Sequence, residues 1–493
     1  MKEQSKFSKV LSILLSVVLV ISSFYLLYQV IRLNVLPSKF LFPLTIGVVV
    51  LDAIFVLLLV YFNKNFVSKI IYVVLTLLVC AASCFGGYYI SKTQSVLSNI
   101  TNVTKHAKNT VSVIVKESSS IKNKSSLNGV SVGSLRLNEQ GSKKALKELS
   151  KDGIVLNQTE YDSLSALLEA FYNGQVDSII INESSRSQIL DMEAYSNFDS
   201  NTRVVYQTSY KVKNNDSATS VSDITSKPFN VLISGSDTRG GFDENGRSDV
   251  IMVATVNPKS HTILLTSIPR DFYVTTACDE GDGCMQGALD KITHTGIHGT
   301  NTTKRTVEKL LGIEINYTFK VGFDTVTELV DVLGGVDVYV EPGYATTTSS
   351  FSVHEGLNHL NGQQALAYAR ERYSYEEGDR QRTKNQQQVL MGIVREATKP
   401  SVITNYAAIM DTMANTFSTT MSNDEITTLI KYQLNNNPTW NMEQYMVDGT
   451  GDTLMCAELG DAAYVMIPDQ STVKLAKDKI SAVLAGKSST EVQ

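Results

Sequence analysis

Arginine and aspartate recur together at the borders of apolar, strand-like runs in the second half of this chain. "VLISGSDTRGG" sets Asp237 and Arg239 after one such run, "NGRSDVIMV" sets Arg247 and Asp249 before the next, and "SIPRD" sets Arg270 and Asp271 after a third. Further on, "AYARERYSYEEGDRQRTKNQQQVL" supplies Arg370, Arg372, Arg380 and Arg382. The pattern predicts a strand over Ala367–Arg372, on which Arg370 and Arg372, two apart, share a face. On the helix that follows, Asp379, Arg382 and Gln386 share a face by i, i+3 and i+7 spacing. A single arginine of this kind is normally a solvated charge or half of a structural pair on a turn. Several of them gathered at strand ends repel one another unless an anion neutralises them. Guanidinium forks bind phosphate oxygens in pairs, carboxylates beside phosphates commonly hold Mg²⁺, and ligands of open α/β sheets collect outside strand ends. The chemistry indicated is a metal-assisted phosphate or pyrophosphate site.

Other catalytic signatures are missing from the sequence. It has no GxxxxGK[ST] loop, no GxGxxG after a strand, no GxSxG elbow and no HExxH. His294 and His298 in "HTGIH" have zinc-like spacing, but Gly296 interrupts a helix there and no third ligand is near, which favours plain loop histidines. Of the five cysteines, Cys80 and Cys84 fall in an apolar run, Cys456 has no obvious partner, and Cys278 and Cys284 enclose "DEGDG" and are expected to form a disulfide.

The elements that must hold these residues begin beyond a membrane region. Residues 10–31, 40–62 and 70–90 are apolar runs long enough to cross a bilayer as helices, within a membrane region of residues 1–92. Lys2, Lys6 and Lys9 precede the first run and Lys64 and Lys69 separate the second from the third, against only Arg32 and Lys39 in the other loop. That bias predicts a cytoplasmic N-terminus and an extracellular region after Lys92. Asp52, in the middle of the second run, is read as a protonated group hydrogen-bonded to a neighbouring helix rather than a functional charge. Residues 109–212 alternate short strands and helices, "GIVLNQ" among the strands, and form a small accessory α/β domain. A polar linker, 213–228, leads to a domain over 229–486 whose strands (Phe229–Ser234, Val250–Val256, Thr262–Ile268, Val336–Val340) and helices (Thr303–Leu311, Asp324–Leu333, Asp379–Thr398, Ala407–Phe417, Asp424–Leu434, Ser471–Leu484) suggest an α/β/α sandwich. The fold class is thus α/β behind three transmembrane helices. A net charge of −5 with 19% charged residues excludes the basic footprint of a nucleic-acid binder.

Seven segments, "GSDTR", "RSDVIMVATVNP", "SIPRDFYV", "DKITHTGIHG", "DVLGGVDVYV", "GLNHLNGQQALAYARER" and "GDRQRTKNQQQVL", follow one another between Phe229 and Pro400. Together they resemble the LytR–CpsA–Psr family in its capsule-associated streptococcal-type form. The resemblance implies a membrane-anchored phosphotransferase that moves a capsular glycan from a polyprenyl-pyrophosphate carrier to peptidoglycan, with other capsule-assembly proteins as partners. It implies Mg²⁺ (or Mn²⁺) on Asp237 and Asp249, and a pyrophosphate clamp of Arg247, Arg270, Arg370 and Arg372 completed by Arg382 and Gln386. Arg239 and Lys291 also match motif positions. The acidic "CDEGDGC" insertion departs from the pattern. Asp379 is the candidate base, and Arg247 and Arg270 act on the charge that develops at phosphorus. An apolar channel for the lipid is sought around Val326, Leu329, Val330, Leu333, Val389 and Leu390, positions that serve equally as core. A polyprenyl-pyrophosphate phosphatase and a non-catalytic lipid-pyrophosphate-binding regulator of capsule synthesis remain the alternatives, since the same cage of charge serves all three.

Overall fold

The three apolar runs form helices α1 (Lys6–Leu33), α2 (Ser38–Val60) and α3 (Phe66–Thr101), each long and apolar enough to cross a membrane. This computed structural model describes residues 6–492 without 63–64, 102–105, 137–138, 214, 237–243, 279–282, 400–401 and 414–416. Asp52 of α2 accepts a hydrogen bond from Ser23 Oγ of α1 at 2.9 Å, so a neighbouring helix supplies its polar partner.

The chain divides into two compact units. The first joins the membrane helices to residues 397–414 and 422–438, which carry helices Val402–Met413 and Asn423–Asn436. Lys92 pairs with Asp411 at 3.0 Å, Lys431 donates to Asn34 Oδ1 at 2.5 Å, and Lys39 donates to the Asn435 carbonyl at 2.7 Å. These contacts put the α1–α2 loop and the far end of α3 on one side of the helices. The helix expected over Ala407–Phe417 ends at Met413, and Phe417–Thr419 is instead a short strand.

Among the described residues the second unit carries, beside four two-stranded ribbons, two large sheets of five and six strands. In the smaller one, β1 (His106–Lys116), β2 (Ser131–Leu135), β3 (Asn157–Tyr161), β4 (Ser178–Asn182) and β5 (Thr202–Lys213) lie in the order β3-β2-β4-β1-β5. Helices Glu139–Lys151 and Leu164–Tyr172 make the crossovers that the parallel pairs β2–β3 and β2–β4 require. The expected "GIVLNQ" strand falls four residues later, as β3. It and the unanticipated β5 are edge strands with little buried surface, so neither shows a clean apolar period.

The larger sheet orders six strands as Phe417–Thr419, Tyr317–Gly322, β6 (Phe229–Ser236), β7 (Ser248–Asn257), β8 (Thr262–Ser267) and Asn441–Met446. Leu232, Ile251, Val253 and Leu264 face a core closed by Val307, Leu311, Val473 and Ile480 of helices Thr300–Leu311 and Gln470–Leu484. Ile233, Val250 and Met252 point to the opposite face, toward Val389 and Leu390 of helix Asp379–Ala397. Period-2 alternation therefore buries both faces, and the domain is an α/β/α sandwich. Val336–Val340 is a strand but pairs with Gly356–Leu360 in a separate ribbon. Ala367–Arg372 is not a strand. It is the end of helix Gly362–Arg370, started by a capping box in which the Asn361 side chain accepts from the Gln364 N–H while the Gln364 side chain accepts from the Asn361 N–H.

The smaller domain shares apolar packing with a separate two-stranded hairpin. Leu164, Phe171 and Phe198 of the smaller domain form one core with Cys456, Leu459 and Val465 of the hairpin Gly449–Cys456/Asp461–Pro468. Burial pushes the Cys456 thiol up to about 12, which leaves it an inert packing group. Next to the hairpin, buried Asp290 pairs with His294 Nδ1 at 2.7 Å and accepts from the Glu458 and Lys291 N–H groups at 2.7 Å each. Burial works against the Asp290 charge, but His294 and these N–H groups outweigh it and hold the carboxyl below its ordinary range. A carboxyl lowered by folding stabilises the protein above its unfolded pKa of about 4, and that contribution is lost as pH falls through the folded value. Asp290→Ala is therefore expected to cost about 3–5 kcal/mol at neutral pH. In melting curves the gap to the parent protein should narrow as pH drops below about 4; a gap independent of pH would contradict the pairing.

Cys278 and Cys284 are joined in a disulfide, with their Cα atoms 6.1 Å apart. By chain entropy so small a loop contributes about 2 kcal/mol. Mass spectrometry of unreduced peptides should show the linked pair, and two alkylatable thiols in the native protein would reject it.

Candidate active site

Strand direction explains why residues scattered in sequence meet. β7 runs antiparallel to both β6 and β8, so its beginning lies at the same sheet edge as their ends. Arg247 and Asp249 thus arrive from the amino end of a strand, beside Arg270 from the carboxyl end of its neighbour. The ladder is tight up to this edge: Ile268 N–H still bonds to the Ile251 carbonyl at 2.9 Å, and Phe272 N–H then closes a turn on the Pro269 carbonyl at 3.1 Å. Proline at 269 ends the strand without leaving an unpaired N–H, and the turn aims Arg270 back over β7. The segment Ile292–His298 supports the edge from behind. A side chain at Gly296 would lie 2.5 Å from the Gly246 carbonyl oxygen and from Ser248 Oγ, so only glycine lets the segment approach.

Around this edge the charges interlock. Arg270 donates to Asp249 Oδ1 at 2.9 Å and lies 3.7 Å from Asp271, which is 3.4 Å from Lys291. Arg247 lies 3.8 Å from Asp249 and pairs with Asp191 of the smaller domain. Thr293 Oγ1 donates to Asp249 Oδ1 at 3.4 Å. On helix Asp379–Ala397, Arg382 reaches Asp379 at 2.5 Å. Burial disfavours the Arg270 charge, yet Asp249, Asp271 and Asp379 more than compensate and raise its pKa. Arg382 shows the opposite balance: burial, with Arg270 and Arg372 nearby, lowers its pKa despite Asp379 and Asp249. A cation such as Arg382, disfavoured by burial and by neighbouring arginines, gains from a bound negative charge. The Nε–H groups of Arg247, Arg270 and Arg382 are buried and have no hydrogen-bond partner among the described residues, and such donors are costly to bury unless a ligand uses them.

Of the residues singled out in the sequence, Arg247, Asp249, Arg270, Lys291, Arg372, Asp379 and Arg382 converge here. Arg372 follows the end of helix Gly362–Arg370 and donates to the Tyr373 hydroxyl at 2.6 Å. Arg370 ends that helix at an exposed position, so the shared face expected for these two arginines does not exist. Arg380 points elsewhere, to Asp448 at 2.7 Å. Asp237 and Arg239 lie outside the described residues. Thr293 and Asp191 were not anticipated: a lone threonine gives no signal, and Asp191 comes from another domain. His298 lies 3.1 Å from Glu458 and His294 pairs with Asp290, and no cluster of three His, Cys, Asp or Glu is found among the described residues. Each histidine is thus held against a carboxylate.

One turn beyond Arg382, Gln386 opens onto an apolar slot lined by Val250, Met252, Val326, Val389 and Leu390. Three of the positions sought for a lipid channel, Val326, Val389 and Leu390, line it; Val389 also belongs to the core cluster that holds Val330, with Val326 packed against it, and Leu329 and Leu333 are half-buried. The donor set beside the arginines consists of carboxylate oxygens, which suits a hard divalent cation that completes its shell with phosphate oxygens. Of the two carboxylates expected to bind it, Asp249 lies among the described residues, its oxygens facing Arg270, Arg247 and Thr293.

The LytR_cpsA_psr family model matches residues 194–481, more than half of the chain. The polyisoprenyl-teichoic acid–peptidoglycan teichoic acid transferase TagU of Bacillus subtilis (strain 168) is 36% identical over 200 residues, which cover 40% of this chain and 62% of that protein. The protein of the same name from Bacillus cereus (strain AH820) is 32% identical over 236 residues, covering 47% of this chain and 74% of the relative. A crystal structure of B. subtilis TagU aligns with a TM-score of 0.41 at 30% identity, over 52% of this chain and 97% of that one. With a family model over most of its second unit and relatives at this identity, the chain belongs to the LytR_cpsA_psr family.

Proposed function

We propose that this protein is a membrane-anchored transferase that moves a glycan, capsular polysaccharide in our reading, from a polyprenyl-pyrophosphate carrier to peptidoglycan through a phosphodiester bond. The observation that carries this is the trio of buried Nε–H donors on Arg247, Arg270 and Arg382, which make no hydrogen bond among the described residues, with an apolar slot beginning one helical turn beyond Arg382. Charge-assisted donors suit a pyrophosphate and the slot suits an isoprenoid chain. The relatives are named as transferases of polyisoprenyl-linked teichoic acid to peptidoglycan, which supports transfer of a lipid-linked polymer to peptidoglycan.

In the reaction a peptidoglycan hydroxyl attacks the phosphorus that bears the sugar. The bond from that phosphorus to the bridging oxygen breaks, and the lipid leaves as its monophosphate. Arg270 and Arg247 stabilise the charge on the transferring phosphoryl, and Arg382, beside the slot, stabilises the departing lipid phosphate. Asp379, at the start of its helix and fixed by Arg382, accepts the hydroxyl proton. Mg²⁺ (or Mn²⁺) held by Asp249, with Asp237 as its expected second ligand, would supply further charge neutralisation.

The deciding test incubates the full chain in detergent with lipid-linked glycan, with and without peptidoglycan oligomers. Phosphodiester-linked product is expected only with both. Release of glycan phosphate without acceptor would make the protein a phosphatase, and binding without turnover would make it a sensor. We also propose an extracellular active site. Protease added to intact spheroplasts should digest the region after Lys92, and protection of that region with loss of the N-terminus would reverse the topology.

A further inference from the structure

We infer that the groove between the smaller domain and the hairpin Gly449–Cys456/Asp461–Pro468 is a saccharide-binding site continuous with the arginine cage; this rests on the transferase reading. The groove has a volume of about 640 Å³, within the roughly 300–1,000 Å³ usual for ligand sites, and such sites favour domain boundaries. Gln188, Asp191 and Tyr195 form one wall and Asp461 and Tyr464 the other, with Lys291 at the inner end.

Gln188 points most directly to a ligand. It is only 2% exposed, yet neither its Oε1 nor its Nε2 has a hydrogen-bond partner among the described residues. A buried amide with both ends unmade is costly. A donor and an acceptor side by side match adjacent hydroxyls, or an acetamido group and a hydroxyl, on a pyranose ring. Tyr195 is held flat by stacking on Tyr172, with centroids 5.3 Å apart and planes 22° apart. Tyr464 is 54% exposed and rests over Gly451. Rigid aromatic surfaces of this kind cover the C–H faces of sugars. Asp191, Glu193 and Asp461 make the rim acidic, which suits a neutral or amino sugar chain and opposes a phosphate-rich polymer.

Continuity with the reaction centre is direct. Asp191 pairs with Arg247, and Lys291 reaches Asp271 beside Arg270. The lipid slot opens from Arg382, on another element, so a lipid–pyrophosphate–sugar chain can enter by one and leave by the other. Two saccharides could use the groove, the carrier-linked glycan and the peptidoglycan strand, and the experiment separates them.

The full chain in detergent is titrated, by saturation-transfer NMR, with lipid-free peptidoglycan oligosaccharide, with glycan released from its carrier, and with farnesyl pyrophosphate. Gln188→Leu and Tyr464→Ala should weaken one of the two saccharides about tenfold, the worth of one or two hydrogen bonds or a ring face. Tyr464→Phe should retain it, and farnesyl pyrophosphate binding should be unchanged in all three, which also confirms their fold. The saccharide that is lost identifies the occupant. A wild type that binds farnesyl pyrophosphate but neither saccharide overturns the groove, as do variants that bind both saccharides normally. Failure of the wild type to bind farnesyl pyrophosphate strikes the transferase reading instead, and the saccharide titrations still decide the groove.

Discussion

Arg270→Lys is expected to lower glycan transfer by about 10²–10³, the usual loss when a donor to developing charge is removed, while the protein still inserts and folds. Lysine keeps the charge and the ion pair with Asp249, so stability changes little. It cannot keep the planar fork: one ammonium replaces an Nε–H and an Nη pair that together address two oxygens. Arg270 is suited to this task because Asp249, Asp271 and Asp379 secure its charge while its Nε–H, 3.7 Å from Asp271, makes no hydrogen bond among the described residues. Steady-state rates with lipid-linked glycan, beside a melting curve for each protein, provide the check. Near-normal transfer by a folded Arg270→Lys would falsify the clamp.

Asp249→Ala should do different damage. It strips Arg270 of its 2.9 Å partner and Arg247 of one of its two carboxylates, leaving buried cations facing one another. Removing one partner from such a network costs about 3–5 kcal/mol, so denaturation of the detergent-solubilised protein should come markedly earlier than for Arg270→Lys. Asp249→Asn preserves the volume and limits that loss. In both Asp249 variants the dependence of rate on added Mg²⁺ should flatten, because the carboxylate assigned to the cation is gone, whereas Arg270→Lys should retain it. Superimposable Mg²⁺ titrations for the parent and Asp249→Asn would remove Asp249 from the metal.

Most of the cage was legible in the sequence because a strand end is a strong local signal. Apolar alternation stops, Pro269 appears, and Arg270 stands where the turn must be. What could not be read was direction. Nothing in "NGRSDVIMV" says that β7 runs antiparallel, yet this alone brings Arg247 and Asp249 to the edge occupied by Arg270. The misassignment at Ala367–Arg372 has a local cause. "ALAYAR" suits either a short strand or a helix, and the deciding signal lay upstream, in the reciprocal bonds of Asn361 and Gln364. Tyr317–Gly322 and Asn441–Met446 escaped notice because their polar residues blur the apolar period that marks a strand. Asp191 and Gln188 were out of reach by any local rule, since their significance depends on which domain packs beside them.

The apolar core in which Phe171 and Phe198 share walls with Cys456, Leu459 and Val465 bears on how this chain can be dissected genetically. A deletion of residues 109–212 would uncover the hairpin's inner surface, so a null phenotype from that deletion would report misfolding as readily as lost function. The informative chimaera exchanges the small domain and the Gly449–Pro468 hairpin as one cassette, because these segments, distant in the gene, are a single unit of inheritance in the fold.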